Sequence, residues 1–240
     1  MDRIMELAER HHIFVVEDAA QGIQSFYKGS PLGGIGHLAA FSFHETKNIQ
    51  CGEGGLLVIN DKRFEERAEI IWEKGTNRAA FFRGEVDKYG WVDVGSSFLP
   101  SEIIAAFLLA QLENIENIQN KRKLIWNLYN SKLKEWAQMN NVRLPFIPSY
   151  AENNAHMFYL VFQDISFRSK VIETLKSNGI LSVFHYLSLH KSAYYKDKYQ
   201  GEDLPMSEYY SDNLLRLPMY FELSIKDVYR IIDLITKISF

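Results

Sequence analysis

The chain has 240 residues, of which 47% are hydrophobic and 24% charged. That composition belongs to a globular protein large enough for one big domain, or a full domain plus a smaller one, and it excludes a disordered or low-complexity chain. Twenty-seven basic against thirty acidic residues leave a formal charge of −3. The densest basic run is only Lys121-Arg122-Lys123, so the chain lacks the basic face of a nucleic-acid binder. No stretch approaches the roughly 18 apolar residues of a membrane span, and no signal-peptide core opens the chain. A single cysteine, Cys51, forms no internal disulfide. The cytoplasm is the expected compartment.

Residues 1–10 read as a helix with Ile4, Leu7 and Ala8 on one face. The run Ile13-Phe14-Val15-Val16 ends in Glu17-Asp18, the pattern of a buried central strand whose polar residues emerge at its end. Residues 27–36 are glycine-rich turn chemistry. A second strand is expected over 38–43, then a loop through His44-Glu45-Thr46-Lys47, and Gly52-Glu53-Gly54-Gly55 leads into a third strand over 56–59. Asp61 caps a charged helix running to about residue 74. Residues 75–100 lack periodicity, and a loop of that length in a packed domain points to binding or subunit contact.

From Ser101, the residues Ile104, Leu108, Leu112, Ile115 and Ile118 recur every three or four positions, and helical character continues to about residue 138. A helix of that length predicts a kink or a domain-spanning role. Beyond Pro145 and Pro148, strands are expected at 157–162, 180–184 and 214–220, with helices at 167–177 and from Ser224, where Asp227 completes a capping box. Few strands read as parallel, so the first half resembles the back of a larger α/β domain, followed by a small α+β domain.

Asp18 and Gln21 follow the first strand, while Ser42, His44 and Lys47 surround the end of the second. An aspartate, a serine and a lysine at the rim of an α/β sheet suit pyridoxal 5′-phosphate. That cofactor needs an amine to bond its aldehyde, a carboxylate beside its pyridine nitrogen, and hydroxyl or N–H donors for its phosphate. Taken by themselves, Asp18 also reads as a turn cap and Lys47 as a solvated lysine.

Glu17-Asp18-Ala19-Ala20-Gln21, Phe41-Ser42-Phe43-His44-Glu45-Thr46-Lys47 and Gly52-Glu53-Gly54-Gly55, in that order and spacing, resemble the signature of the DegT/DnrJ/EryC1/StrS sugar aminotransferases. Four further groups resemble the branch acting at the 4-keto carbon of dTDP-linked 6-deoxyhexoses. They are Glu73-Lys74-Gly75-Thr76-Asn77-Arg78 with Phe82-Arg83-Gly84 and Asp87-Lys88-Tyr89, then Ala155-His156-Met157-Phe158-Tyr159, then Val183-Phe184-His185-Tyr186 with Leu189-His190, then Arg216-Leu217-Pro218.

The resemblance implies a fold type I pyridoxal-phosphate transferase. Residues 1–115 would be the C-terminal part of its large cofactor-binding α/β domain, and residues 116–240 a linking helix and small α+β domain. It implies that Lys47 forms the Schiff base and shuttles protons, that Asp18 pairs with the pyridine nitrogen, that Gln21 lies by the ring, and that Ser42 holds the phosphate. Glutamate would be the amino donor, a dTDP-4-dehydro-6-deoxyhexose the acceptor, and a homodimer the assembly.

The likeness departs from the family in two places. Ser96-Ser97 stand where an asparagine of the neighbouring subunit commonly reaches the phosphate, which leaves Ser97 for that role. Only 16 residues precede Glu17, where the family carries well over 100, so the chain reads as lacking that portion. Alternatives are an inactive remnant of such an enzyme and a relative acting at C-3 of the sugar.

His44 suits either a phosphate contact or a structural role. Arg78 and Arg83, with Phe81 and Phe82 between them, suit a nucleotide pyrophosphate or a subunit interface. His185, Tyr186 and His190 fall in what resembles the substrate-side loop. No His pair or Cys cluster has metal-ligand spacing, so no metal is expected. Cys51 reads as inert, and Trp126 and Trp136 as packing residues.

Overall fold

The N-terminal helix forms as α1 (Asp2–His11), ended by His12 in the left-handed conformation (φ 54°), in the computed structural model, which describes residues 1–239. The chain then runs through β1 (Val16–Asp18), β2 (Phe26–Tyr27), β3 (Ser30–Pro31), β4 (Leu38–Ser42) and β5 (Gly55–Ile59). β4 is the middle strand of the main sheet, parallel to β1 and antiparallel to β5, and its Ala39 is fully buried. The expected burial of the first strand does not hold. Ile13, Phe14 and Val16 are 57%, 51% and 62% exposed. Among the described residues β1 has a strand partner on one side only, and an apolar run specifies a strand without specifying what lies over it.

Asp61 caps its helix as expected, accepting from the Arg63 amide, but the first turn is a tighter 3₁₀ turn (Lys62–Phe64) before α2 (Glu65–Trp72). The stretch expected to be a loop contains α3 (Arg78–Phe82) and is stapled by two isolated bridges, Glu73 to Ser97 and Thr76 to Trp91. There the backbones of Gly75 (φ 76°) and Gly95 cross so closely that a Cβ on Gly95 would lie 2.1 Å from the Gly75 nitrogen. Only glycine fits such a crossing.

The long helix expected from residue 101 forms as three pieces, α4 (Glu102–Glu113), α5 (Ile115–Lys132) and α6 (Lys134–Met139). The first break is at Asn114 (φ −103°, ψ 12°), whose side-chain amide donates to the Ala110 carbonyl (2.9 Å). That local alternative is why asparagine is a poor helix-interior residue. The second is at Leu133, itself fully buried. α4 buries none of its residues fully.

Contacts divide the chain into two units, Met1–Glu116 with Ser149–Asn154, and Asn117–Pro148 with the residues from Ala155 onward. The segment Ser149–Asn154 thus returns to the first unit, where β6 (Ala151–Glu152) extends β2 and β3 into a second small antiparallel sheet.

In the second unit β7 (Phe158–Val161) pairs antiparallel with a later strand across α7 (Ile165–Ser177) and α8 (Pro205–Asn213), that strand being β8 (Leu214–Leu217). With α9 (Ile225–Thr236) they enclose a core in which Tyr129, Phe158, Phe162, Val171, Leu175, Leu215 and Ile235 are fully buried. Trp126 and Trp136 pack into it. The N-cap half of the expected capping box forms: Ser224 Oγ accepts from the Asp227 amide (3.0 Å), and the Asp227 carboxylate takes the Ser224 hydroxyl proton (2.6 Å). Residues 180–184 make only a single bridge, Val183 to Arg216, instead of the expected strand. α8 forms where no helix was expected, with Pro205 in its first turn. Among the described residues no helix is long and apolar enough to cross a membrane.

Candidate active site

Asp18 is the last residue of β1 and lies opposite Ala40, two residues before the end of the parallel strand β4 at Ser42. Both side chains therefore stand at the carboxyl ends of neighbouring parallel strands, about 7 Å apart along the strand direction. Ligands of open α/β sheets bind at that rim. Among the described residues the exposed Asp18 carboxylate accepts only from the Ala20 amide (3.2 Å). Ser42 Oγ accepts from the His44 amide (3.3 Å), which leaves its own proton available to a ligand.

Lys47 is half-buried, and among the described residues its amine has no hydrogen bond or ion pair. Its backbone is held all the same. The Lys47 amide donates to the His44 carbonyl (2.9 Å), and the next two residues, Asn48 and Ile49, are buried. An amine free at its tip on an anchored backbone is what a nucleophilic lysine requires.

His44 turns into the loop. Its Nδ1 accepts from the Thr46 amide (3.3 Å) and lies 2.9 Å from the Thr46 hydroxyl, and its Nε2 is 3.7 Å from a Glu53 carboxylate oxygen. Cys51 is buried, and its thiol donates to the Glu53 carbonyl (3.4 Å). Burial first, and the Glu53 charge second, push that thiol's pKa up, which keeps it in the unreactive protonated form. Gln21 exposes its side chain, while its carbonyl is taken by the Asn154 side chain (2.7 Å).

Sequence reasoning overlooked Glu17. Its carboxylate accepts from the backbone amides of Gly33 (2.9 Å), Ile35 (2.8 Å) and Gly36 (2.6 Å), and the Asn60 side-chain Nδ2 donates to the Gly33 and Gly36 carbonyls (2.9 Å each). The glycine-rich turn is thus clamped from both sides against the strand carrying Asp18. The glycines were the available signal, since backbone N–H groups crowded in one turn form a concavity for an anion.

The DegT/DnrJ/EryC1/StrS aminotransferase family profile matches residues 1–236. The chain belongs to this family. An uncharacterized protein of Methanocaldococcus jannaschii is 28% identical over 246 residues, covering 99% of this chain and 63% of that protein. The structure of a DegT DnrJ EryC1 StrS aminotransferase from Brucella abortus is 31% identical with a TM-score of 0.82, covering 98% of this chain and 59% of that one. S. venezuelae DesV, solved in complex with a ketimine intermediate, is 29% identical with a TM-score of 0.85, covering 99% and 61%. The chain therefore spans about three fifths of the length of these relatives. It has the α/β fold of fold type I aminotransferases, and the family's enzymes bind pyridoxal phosphate.

Within that family frame, Asp18, Gln21, Ser42 and Lys47 all lie in the first unit. Ser97 is exposed and bridges to Glu73, with no hydrogen bond to Asp18, Ser42 or Lys47 among the described residues. Arg78 pairs with the largely buried Glu73 and stacks over Phe82 (5.0 Å). Arg83 bridges Glu69 (3.0 Å) and Glu85 (2.8 Å). Both guanidinium groups are thus engaged, by carboxylates of α2, of its C-terminal cap and of the loop itself.

The second unit carries the remaining candidates. His185 and Tyr186 line a hollow of about 270 Å³ with Ser188, Ser207, Tyr210 and Ser211. His185 lies 3.5 Å from an Arg216 nitrogen, and burial first, then the Arg216 charge, depress its pKa. His190 is committed: its Nε2 meets Glu208 (3.0 Å), which Lys191 also pairs, and its ring packs on Tyr199 (5.2 Å). The Lys191 contact first, and His190 second, hold the Glu208 carboxyl below the usual range.

Proposed function

We propose that this chain carries the lysine side of the active site of a sugar aminotransferase, one that moves an amino group from glutamate to the 4-keto carbon of a dTDP-4-dehydro-6-deoxyhexose. The observation that supports it most is the unpartnered Lys47 amine on an anchored backbone, in the same unit as a sheet rim that presents Asp18 and Ser42. Bound pyridoxal phosphate would supply an electron-withdrawing ring able to stabilise negative charge on the carbon next to the transferred nitrogen.

The chain's own residues have distinct parts in this reading. The Asp18 carboxylate, which among the described residues accepts from the Ala20 amide alone, would hold a proton on the ring nitrogen by charge and hydrogen bond. Ser42 donates its free hydroxyl proton to a phosphate oxygen. The Lys47 amine would hold the cofactor through its aldehyde carbon, with the aldehyde oxygen leaving as water, and when free of it would accept and return a proton at Nζ beside the donor's α-carbon. Gln21 flanks the ring.

His185 and Tyr186, which line the hollow in the second unit, are the residues proposed to meet the sugar nucleotide. The branch proposed is that of dTDP-4-amino-4,6-dideoxygalactose transaminase in enterobacterial common antigen synthesis, on the motif likeness. A homodimer is the proposed assembly, supported by the exposed apolar groups of the first unit. Trp91, Val94 and Ile103 are 84%, 83% and 83% exposed, a pattern that marks association surfaces.

The test is to incubate the full chain with pyridoxal phosphate, reduce with borohydride, and map the adduct by peptide mass. The expected result is one dominant phosphopyridoxyl group, on Lys47, lost in Lys47→Ala, followed by amination of the 4-keto sugar nucleotide with glutamate. Adducts spread over exposed lysines, with no preference for Lys47, would overturn the proposal.

A further inference from the structure

We infer that Asn154 is a positioning residue that ties the Lys47 loop to the turn behind Asp18, so that the two candidate groups move as one body. The inference rests on the reading of Lys47 and Asp18 given above and goes beyond it to a residue far away in sequence. Asn154 is 4% exposed. Its side-chain amide donates to the Gln21 carbonyl (2.7 Å) and the Ile23 carbonyl (2.7 Å), and its own carbonyl accepts from the Asn48 side chain (2.8 Å). Asn48, 5% exposed, directly follows Lys47, and Gln21 lies three residues after Asp18.

The geometry is specific to an amide. Asn154 presents two N–H donors on one planar group to two carbonyls of one turn, and keeps its main-chain oxygen for the other segment. Aspartate has the same shape but would set a carboxylate against two carbonyl oxygens. Alanine would leave both part-buried carbonyls without this donor.

The neighbouring backbone is fixed in the same sense. β6 pairs Ala151 with Tyr27 and Glu152 with Phe26, and the Lys28 amide donates to the Tyr150 carbonyl (2.7 Å). Asn154 therefore stands at the end of a segment already registered on residues 26–28, and Asn48 joins the Lys47 loop to it. Without that link the amine would sample more positions relative to the Asp18 carboxylate, and a nucleophile misplaced by about 1 Å can lose on the order of 10²-fold in rate.

The experiment uses the full chain as wild type, Asn154→Ala and Asn48→Ala, with Asn213→Ala removing a buried amide of the second unit as the control for general destabilisation. Amide hydrogen exchange is read over residues 19–25 and 43–52, and borohydride trapping of pyridoxal phosphate is read at Lys47. Asn154→Ala should speed exchange in both segments together by tenfold or more and slow trapping at Lys47 by at least tenfold, with exposed lysines labelled at unchanged rates. Asn48→Ala should do the same to 43–52 and to Lys47 while sparing 19–25. Asn213→Ala should change neither.

The inference is overturned if exchange at 43–52 stays within twofold of wild type in both Asn154→Ala and Asn48→Ala. It is equally overturned if Lys47 trapping is unchanged in a chain that traps there normally. A wild type that shows no preference for Lys47 removes the cofactor reading alone, and the exchange data then decide the coupling by themselves.

Discussion

Removing the Glu17 carboxylate should loosen the glycine-rich turn that is clamped against β1. Successive strand residues face opposite sides, so Glu17 holds the turn on the side away from Asp18. Glu17→Ala leaves the amides of Gly33, Ile35 and Gly36 without their acceptor. A hydrogen bond to a charged acceptor contributes about 1.5–3 kcal/mol, and three of them would sum to roughly 4.5–9 kcal/mol in a dry interior. Glu17 is only half-buried, so water replaces much of each bond, and a net loss of about 3 kcal/mol is the expectation.

Glu17→Gln keeps one acceptor oxygen for Ile35 and Gly36 but turns an N–H toward the Gly33 amide, and should lose about half as much. Urea unfolding checks this. The midpoint should fall with the slope unchanged, Ala by more than Gln, and the Gly33, Ile35 and Gly36 amides should exchange faster in both variants. A loss below about 0.5 kcal/mol for Glu17→Ala, within the range of ordinary surface substitutions, would refute the clamp.

Other expectations concern pH and backbone crossing. The native pKa of His185 lies below its ordinary value, because burial and Arg216 disfavour the charged ring. Below about pH 6.5 the unfolded chain binds a proton there that the folded chain refuses. The unfolded state then holds more protons, so stability rises with pH across the window from the lowered native value to about 6.5 and is complete above it. Melting curves from acid to neutral pH should show that slope, and His185→Asn should flatten it; an identical slope in the variant would count against the assignment. Gly95→Ala forces a methyl to within 2.1 Å of the Gly75 nitrogen and 2.8 Å of the Ile71 carbonyl. It should cost about 1–3 kcal/mol or more and open residues 75–98 to limited proteolysis, whereas unchanged cleavage would mean that the crossing relaxes without difficulty.

The parts of the fold legible in the sequence are those set by short-range physics. Ser224 and Asp227 signalled the start of α9 because capping is a contact across three residues, and the two side chains meet there. The order of Asp18, Ser42 and Lys47 was readable as a motif, and the family it pointed to is the family to which the chain belongs. Residues 205–213 were missed as a helix because Pro-Met-Ser-Glu-Tyr-Tyr-Ser-Asp-Asn has no clean apolar period, although Pro205 at the first turn was a usable start signal. Residues 180–184 have strand composition, but whether such a run joins a ladder depends on a partner elsewhere, and only Val183 found one.

The same division holds for the candidate site. Residue types, their order along the chain and the turns between them come from local sequence, since caps, glycine turns and apolar periods act over a few residues. The exposure of Ile13, Phe14 and Val16, the breaks at Asn114 and Leu133, and the pairing of Arg83 with Glu69 and Glu85 were settled by what packs where. Asn154 is the clearest case, because nothing near it in sequence marks it, and its bond to Asn48 spans 106 residues. Burial and the partner of a polar group are properties of distant segments brought together, so only the tertiary structure decides them.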